Sequence, residues 1–154
     1  MAIDATPAQR EQENQLRDLA YRYARMMDRR EFDWLPQVFA EQGSLIGPGY
    51  EMKGHEQLRQ GLKGLERFSA TLHGVLNTYF EIDGDAATGE VYCVANHVYE
   101  KEGVPFKLDM GIRYDDQYTR GPGGWVITRR FFNMVWETDT PMGISPNGAP
   151  EKAS

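Results

Sequence analysis

The chain has 154 residues, a net charge of −6 at neutral pH, and 40% apolar and 26% charged residues. A chain of this length usually forms one domain, which buries roughly 70% of its unfolded surface and can enclose a cavity. The acidic balance, with no basic patch interleaved with aromatic residues, argues against nucleic-acid binding. The 12% aromatic content suits the walls of an apolar ligand site.

The composition also bears on the compartment. Residues 1–15 have neither the basic start nor the apolar run of a signal peptide, and no stretch approaches the length of a membrane span. The single cysteine, Cys93, lies within a strand pattern and has no partner for a disulfide inside the chain. It is interpreted as a small core residue in a reducing compartment. We therefore expect a cytoplasmic protein that does not bind membranes.

The first third of the chain is predicted to be helical. Thr6 is a helix cap, Pro7 lies in the first turn, and Gln9 completes a capping box. Apolar residues then recur at helical spacing, namely Leu16, Leu19, Ala20, Tyr23 and Met27. Asp33 is placed to cap a second, short helix. A short strand over 43–49 and a third helix over 55–68 are expected to follow.

From residue 70 onward, long β-type runs alternate with glycine-containing turns. The predicted strands are 70–82, 87–100, 104–119 and 125–136. The third of them alternates cleanly, with one face made of Phe106, Leu108, Met110, Ile112 and Tyr114. Helices followed by a meandering sheet favour an α+β fold, in which a curved, mostly antiparallel sheet wraps around the N-terminal helices and leaves a cavity.

The domain boundary is drawn near the end of the last strand. Residues 1–138 are assigned to a single domain. Residues 139–154 are rich in proline, glycine and small polar residues, so they are predicted to be a C-terminal tail or covering loop.

Asp28 and His73 are the main candidates for chemistry. Asp28 borders the apolar stripe at the helix end, where a carboxylate opposes the helix dipole. His73 lies inside a β-type run, on one face with Val75, Asn77 and Tyr79. Both are costly to bury unless they pair, and a paired carboxylate can make the histidine a general base. Spacing alone leaves a solvated helix end and a core histidine equally open.

Other side chains could assist. His97 shares a face with small and apolar residues, so it could polarise a substrate oxygen or face an oligomer interface. Tyr23 could donate a proton, although core packing is the commoner role. Arg129 and Arg130 are adjacent on a strand, so one of them must point inward, where it could anchor an oxyanion. His55, at a helix start, is interpreted as a surface or cap residue.

Rival site types find little support in the sequence. The three histidines show no metal-ligand spacing, and there is no CxxC or HExxH motif. There is no glycine-rich phosphate loop opening a helix and no GxSxG elbow for a serine nucleophile. We therefore expect acid–base chemistry without a metal or cofactor.

The chain resembles the SnoaL-like family of the nuclear transport factor 2-like superfamily over residues 15–136. The resemblance is carried by the helical segment LRDLAYRYARMMDRREFDWLPQVFAE, the strand segment TLHGVLNTYFEIDGDAATGEVYCVANHVYE and the closing segment GGWVITRRFFNMVW. It implies an α+β cone with a cone-shaped cavity. Among the enzymes of this family the chain is similar to scytalone dehydratase, bile-acid 7α-dehydratase and hexachlorocyclohexane dehydrochlorinase.

The resemblance also implies roles for particular residues. These enzymes pair a helix aspartate with a strand histidine, and the matching positions are Asp28 and His73. Tyr23 matches a tyrosine of the bile-acid enzyme, and His97 a second histidine of scytalone dehydratase. The dehydrochlorinase arginine falls on Arg130, whereas the arginine of the bile-acid enzyme falls near Met134.

Together these points predict a cofactor-independent lyase that acts on an apolar small molecule, cyclic substrates included. The cavity lining is expected to contain Leu108, Met110, Phe132 and Met134. The sequence leaves other functions on the same scaffold open, namely those of an isomerase, a polyketide cyclase, an epoxide hydrolase or a non-catalytic ligand-binding module. A free sheet face predicts a homodimer or homotrimer.

Overall fold

The computed structural model describes residues 5–143, in which the helices come first and the sheet follows. The helices are α1 (Pro7–Arg29), α2 (Leu35–Val38) and α3 (Gly54–Leu62), and 3₁₀ turns occupy Phe32–Trp34 and Lys63–Arg67. The strands are β1 (Phe39–Gly47), β2 (Tyr50–Lys53), β3 (Ala70–Asp83), β4 (Ala86–Lys101), β5 (Val104–Gly121) and β6 (Gly124–Pro141). None of the described helices has both the length and the apolar character needed to cross a membrane.

The six strands form one curved, unclosed sheet in the order β2-β1-β6-β5-β4-β3. Neighbouring strands are antiparallel except β1 and β6, which pair in parallel. The helix α1 packs chiefly along β3, and its buried stripe joins the apolar side chains of β4 and β5 in one core. The predicted α+β fold is therefore confirmed.

The start of α1 follows its sequence signals. The Thr6 hydroxyl accepts a hydrogen bond from the Gln9 backbone N–H at 3.2 Å, and the Gln9 side chain accepts one from the Thr6 N–H at 2.8 Å. This reciprocal pair is the predicted capping box. The predicted apolar stripe is buried, each of its five residues being at most 6% exposed.

The second and third helices depart from prediction. Asp33 does not cap α2, because it lies inside a 3₁₀ turn and Trp34, with helical φ and ψ of −80° and −4°, precedes the helix. The Asp33 side chain is 98% exposed and accepts a hydrogen bond from Arg59 at 2.9 Å. The third helix ends at Leu62, and Lys63–Arg67 tighten into a 3₁₀ turn instead of continuing it.

Two strand predictions are also corrected. The first strand begins at Phe39, and a turn with Gly49 at φ 78° joins it to β2, a strand that the sequence did not predict. In β3 a register shift between Val75 and Thr78 breaks the expected alternation. As a result Tyr79 is 46% exposed while Phe80 is buried, so Tyr79 does not share a face with His73.

The last strand is longer than predicted. Residues 139–141, expected to begin the tail, continue β6, and Pro141 still pairs with Phe106 of β5. The remainder of the predicted tail from residue 144 onward lies outside the described residues. Cys93 is 2% exposed within the core, as its strand position predicted.

Candidate functional site

Asp28, in the last turn of α1, and His73, near the start of β3, meet where the helix packs along the strand. The Nδ1 atom of His73 lies 2.7 Å from Oδ1 of Asp28. The backbone N–H of His73 donates to Oδ2 of the same carboxylate at 2.9 Å. Both carboxylate oxygens thus contact one residue, which fixes their geometry relative to the imidazole.

The surroundings of Asp28 favour its charged form. Burial raises the pKa of Asp28, but hydrogen bonds from the His73 side chain and backbone, the charge of His73 and a hydrogen bond from Thr71 outweigh it, and the pKa is lowered from its ordinary value. The Asp28 carboxylate is therefore ionised near neutral pH and can only accept hydrogen bonds. His73 Nδ1 is therefore the donor in this pair, because an ionised carboxylate has no proton to give.

His73 borders a cavity of about 570 Å³ between α1, the Lys63–Arg67 turn and the inner face of the sheet. All four predicted lining residues contribute to it, namely Leu108, Met110, Phe132 and Met134. Asp28 does not line this cavity and lies behind His73, beside a surface groove that also contains Arg25 and Arg29. The imidazole therefore separates its carboxylate partner from the cavity.

Several lining residues were not predicted as such. Tyr50 and Met52 come from β2, which the sequence analysis missed, and their alternate spacing was the available signal. Leu65 and Phe68 lie on the apolar face predicted for the third helix, but the 3₁₀ turn directs them into the cavity wall. Most of the lining is apolar or aromatic, which is typical of sites for small apolar molecules.

His97 lies in the same cavity. Its ring centroid is 5.5 Å from that of His73 and 4.7 Å from that of Phe68, and its side chain is buried. Burial, and to a lesser extent the charge of His73, lowers the pKa of His97 to about 4. Within residues 5–143 its Nδ1 atom has no hydrogen-bond partner. His97 is therefore a neutral imidazole near neutral pH rather than a positive charge in the cavity.

The lowered pKa of His97 predicts acid sensitivity. Between about pH 6.5 and about pH 4 an unfolded chain protonates this histidine while the folded protein does not. The unfolded state then binds more protons, so the free energy of unfolding falls as pH drops, by on the order of 3 kcal/mol in all. Urea unfolding at several pH values measures this loss. In His97→Gln we expect the free energy of unfolding to change less with pH between about pH 6.5 and about pH 4. The same pH dependence as in the wild type would contradict the lowered pKa of His97.

Tyr23 both packs in the core and lines the cavity. Its ring makes edge contacts with Phe39 and Tyr114, at centroid distances of 6.1 and 5.7 Å. Burial raises the pKa of Tyr23 to about 12, although the charge of Arg130 opposes the rise. The hydroxyl therefore keeps its proton near neutral pH and can act as a donor.

Of the two adjacent arginines, Arg130 points inward and Arg129 is exposed. Arg130 does not line the cavity. Its guanidinium donates to both carboxylate oxygens of Asp116, at 2.8 and 2.6 Å, and lies 4.2 Å from the ring centroids of both Tyr23 and Tyr114. The side chain expected to anchor an oxyanion is thus engaged in a buried ion pair behind the cavity wall.

Asp116 was missed by the sequence analysis although a signal existed. It continues the even-numbered face of β5, two positions after Tyr114, and is therefore a carboxylate on an apolar face. His55, in contrast, lies away from the site, and its Nε2 atom is 2.8 Å from the Phe39 carbonyl oxygen. No three His, Cys, Asp or Glu side chains converge to hold a metal anywhere in residues 5–143.

Comparisons with known proteins extend over most of the chain. Residues 8–131 match the SnoaL-like domain family. An uncharacterized protein of Mycobacterium tuberculosis, strain H37Rv, is 30% identical over 124 residues, which cover 75% of this chain and 80% of that protein.

Solved structures share the fold at low identity. The Kfla4162 protein of Kribbella flavida has a TM-score of 0.78 at 21% identity and covers 84% of this chain and 94% of its own. A type 3 hexachlorocyclohexane dehydrochlorinase of Novosphingobium barchaimii has a TM-score of 0.73 at 17% identity, with coverages of 84% and 89%. A scytalone dehydratase-like protein of Novosphingobium aromaticivorans has a TM-score of 0.73 at 19% identity, with coverages of 92% and 94%. The chain belongs to the SnoaL-like domain family.

Proposed function

We propose that this protein is a cofactor-independent lyase that eliminates water or a halide from an apolar small molecule, with His73 as the general base and Asp28 as its orienting partner. One observation carries the proposal. The imidazole of His73 has its Nδ1 atom 2.7 Å from an ionised carboxylate and its ring at the edge of a cavity of about 570 Å³ lined mainly by apolar side chains.

The proposed step transfers one proton to His73 and forms one carbon–carbon double bond as the leaving group departs. Nε2 of His73 takes a proton from a carbon next to an activating group, and the C–H electron pair becomes the new double bond. The leaving group departs from the neighbouring carbon with its own electron pair. The Asp28 carboxylate stabilises the imidazolium that forms, as in other carboxylate–histidine pairs.

Tyr23 and His97 are the proposed assistants of the leaving group. The pKa of Tyr23 is about 12, below the value of about 15.7 for water, so its hydroxyl can protonate a departing hydroxide. His97, a neutral and buried imidazole that lines the same cavity, is the proposed hydrogen-bonding partner of a substrate oxygen or hydroxyl. Arg130, in its ion pair with Asp116, supports Tyr23 from behind and does not contact the substrate.

An isomerase, a polyketide cyclase or an epoxide hydrolase would use the same base in the same cavity. We favour elimination because the Tyr23 hydroxyl, which keeps its proton near pH 7, lines the same cavity as the base and can protonate a departing hydroxide. The deciding experiment screens polycyclic and hydroxylated compounds by thermal shift, since a ligand raises the stability of the folded state. Mass spectrometry of incubated hits then identifies the reaction. Loss of water or hydrogen halide supports a lyase, conservation of mass indicates an isomerase or cyclase, addition of water a hydrolase, and unchanged ligand a binding module.

Asp28→Asn tests the partner of the base. The substitution keeps the size of the side chain but removes the negative charge that stabilises the imidazolium, so we expect kcat to fall by about 10²-fold or more. Asp18→Asn is the matched control, because Asp18 is an exposed carboxylate on the same helix. Steady-state kinetics on a confirmed substrate measures both. Equal activities of the two variants would remove Asp28 from the mechanism.

A further inference from the structure

Arg30 ends α1 in a backbone conformation that arginine seldom adopts. Its φ and ψ are 59° and 30°, in the left-handed region, and its N–H bonds the carbonyls of Met26 and Met27 as a helix C-cap. Glycine and asparagine are the usual residues at such a position. The backbone alone thus gives no reason for an arginine here, and its side chain supplies one.

The half-buried guanidinium of Arg30 joins three elements. Its Nη1 atom donates to the Met27 carbonyl and, at 2.8 Å, to the Thr71 hydroxyl of β3. Its Nη2 atom donates to the carbonyls of Leu65 and Phe68, at 3.1 and 3.4 Å. Within residues 5–143 no carboxylate lies within ion-pair distance of Arg30. The Arg30 guanidinium therefore hydrogen-bonds only uncharged oxygens, those of backbone carbonyls and of the Thr71 hydroxyl.

One of these contacts leads to the candidate base. The Thr71 hydroxyl has a single proton, and because it accepts from Arg30 it is oriented to donate to Oδ1 of Asp28, at 3.0 Å. That oxygen is also the one that contacts His73 Nδ1. Arg30, Thr71, Asp28 and His73 form one chain of hydrogen bonds, in which the direction of each bond fixes that of the next.

The other contacts lead to the cavity wall. Leu65 and Phe68 both line the cavity, and the Phe68 ring packs 4.7 Å from the His97 ring. The segment between them is a 3₁₀ turn that ends in extended backbone at Phe68, whose N–H donates to the Leu65 carbonyl at 3.0 Å. The guanidinium holds the carbonyls at both ends of this wall.

We propose that Arg30 is a positioning residue of the candidate site, which fixes the Thr71 hydroxyl against Asp28 and anchors the 65–68 wall of the cavity. The effect of Arg30 on turnover rests on the proposed function. The positioning itself is a property of the folded chain and can be measured without a substrate.

Arg30→Gln is the test, and Arg29→Gln is its matched control. Arg29 is the preceding residue, its side chain is 65% exposed and its nearest carboxylate contact is 3.9 Å long. We expect backbone amides of residues 63–70 to exchange hydrogen at least tenfold faster in Arg30→Gln, and at the wild-type rate in Arg29→Gln. We also expect carbon-13 NMR to show the Asp28 carboxyl titrating at higher pH in Arg30→Gln only.

A milder pair of variants tests the hydroxyl by itself should Arg30→Gln lose its fold. Thr71→Val keeps the shape of the side chain but removes the donor, so the Asp28 titration should move upward, whereas Thr71→Ser should preserve it. Wild-type exchange at 63–70 together with an unmoved Asp28 titration in Arg30→Gln overturns the proposal. An unmoved titration in Thr71→Val overturns the link through the hydroxyl.

The turnover measurement separates this inference from the proposed function. On a confirmed substrate, Arg30→Gln should lower kcat about tenfold, and Arg29→Gln should keep the wild-type rate. If the wild-type protein turns over nothing, the proposed function fails, while amide exchange and the Asp28 titration still decide whether Arg30 positions the site.

Discussion

Replacing His73 with alanine should lower kcat by on the order of 10²–10⁴-fold on a confirmed substrate, because the variant has no group to accept the proton. The side chain of His73 is 4% exposed and contacts the Asp28 carboxylate, so the variant also loses a hydrogen bond. We expect the circular dichroism spectrum to keep its shape and the melting temperature to fall by a few degrees. Steady-state kinetics and a thermal melt provide both values.

The control and the rescue make this result specific to proton transfer. His55→Gln replaces a histidine that lies outside the cavity, and it should keep the wild-type kcat. Added imidazole can enter the space left in His73→Ala and should restore part of the rate, more strongly at a pH at which imidazole is neutral. Full activity of His73→Ala without added imidazole would falsify the assignment of the base.

Asp116→Asn should cost about 3–5 kcal/mol of unfolding free energy, because it leaves a buried guanidinium without its counter-charge. Arg130 is 0% exposed and Asp116 3%, and the carboxylate also accepts a hydrogen bond from Tyr118 at 2.6 Å. The total free energy of unfolding of most domains is only about 5–15 kcal/mol, so this loss is large. Urea unfolding followed by tryptophan fluorescence measures it.

Two further variants separate burial of the charge from simple loss of a carboxylate. Asp115→Asn changes the neighbouring residue on the opposite face, which is 44% exposed and pairs with Arg113 at 3.3 Å, and should cost less than about 1 kcal/mol. Combining Asp116→Leu with Arg130→Met removes both charges, and the double variant should be more stable than Asp116→Asn. Equal losses in Asp115→Asn and Asp116→Asn are incompatible with a buried ion pair as the source of stability.

Much of the fold could be read from local sequence signals. The capping box of Thr6 and Gln9 depends on residues three apart, and the turns between the long strands depend on glycines at their tips. The alternation of β5 predicted one face for Phe106, Leu108, Met110, Ile112 and Tyr114, and all of these except Phe106 line the cavity. Each of these features is decided within a few residues, which is why a single sequence suffices to predict it.

The errors occur where distant neighbours decide the structure. Asp33 has the residue type of a helix cap but lies in a 3₁₀ turn, where its carboxylate accepts a hydrogen bond from Arg59 of α3. The register shift between Val75 and Thr78 depends on how β3 pairs with β4, and it reverses the face of every residue beyond it. Alternation required one of Arg129 and Arg130 to point inward without deciding which. The partner of Arg130, Asp116, lies 14 positions away on another strand.

The sequence by itself determined an acidic α+β chain of 154 residues in which Asp28 borders an apolar helix stripe and His73 lies within a strand. Only the tertiary structure decided that these two residues, 45 positions apart, are in contact, with His73 Nδ1 2.7 Å from Asp28 Oδ1. It also decided that Arg130 pairs with Asp116 behind the cavity wall instead of lining the cavity. The physical reason is that helical and strand periodicities fix which face a side chain occupies, whereas contact between faces depends on how α1 and the sheet pack. A buried charge is stable only where that packing supplies its partner.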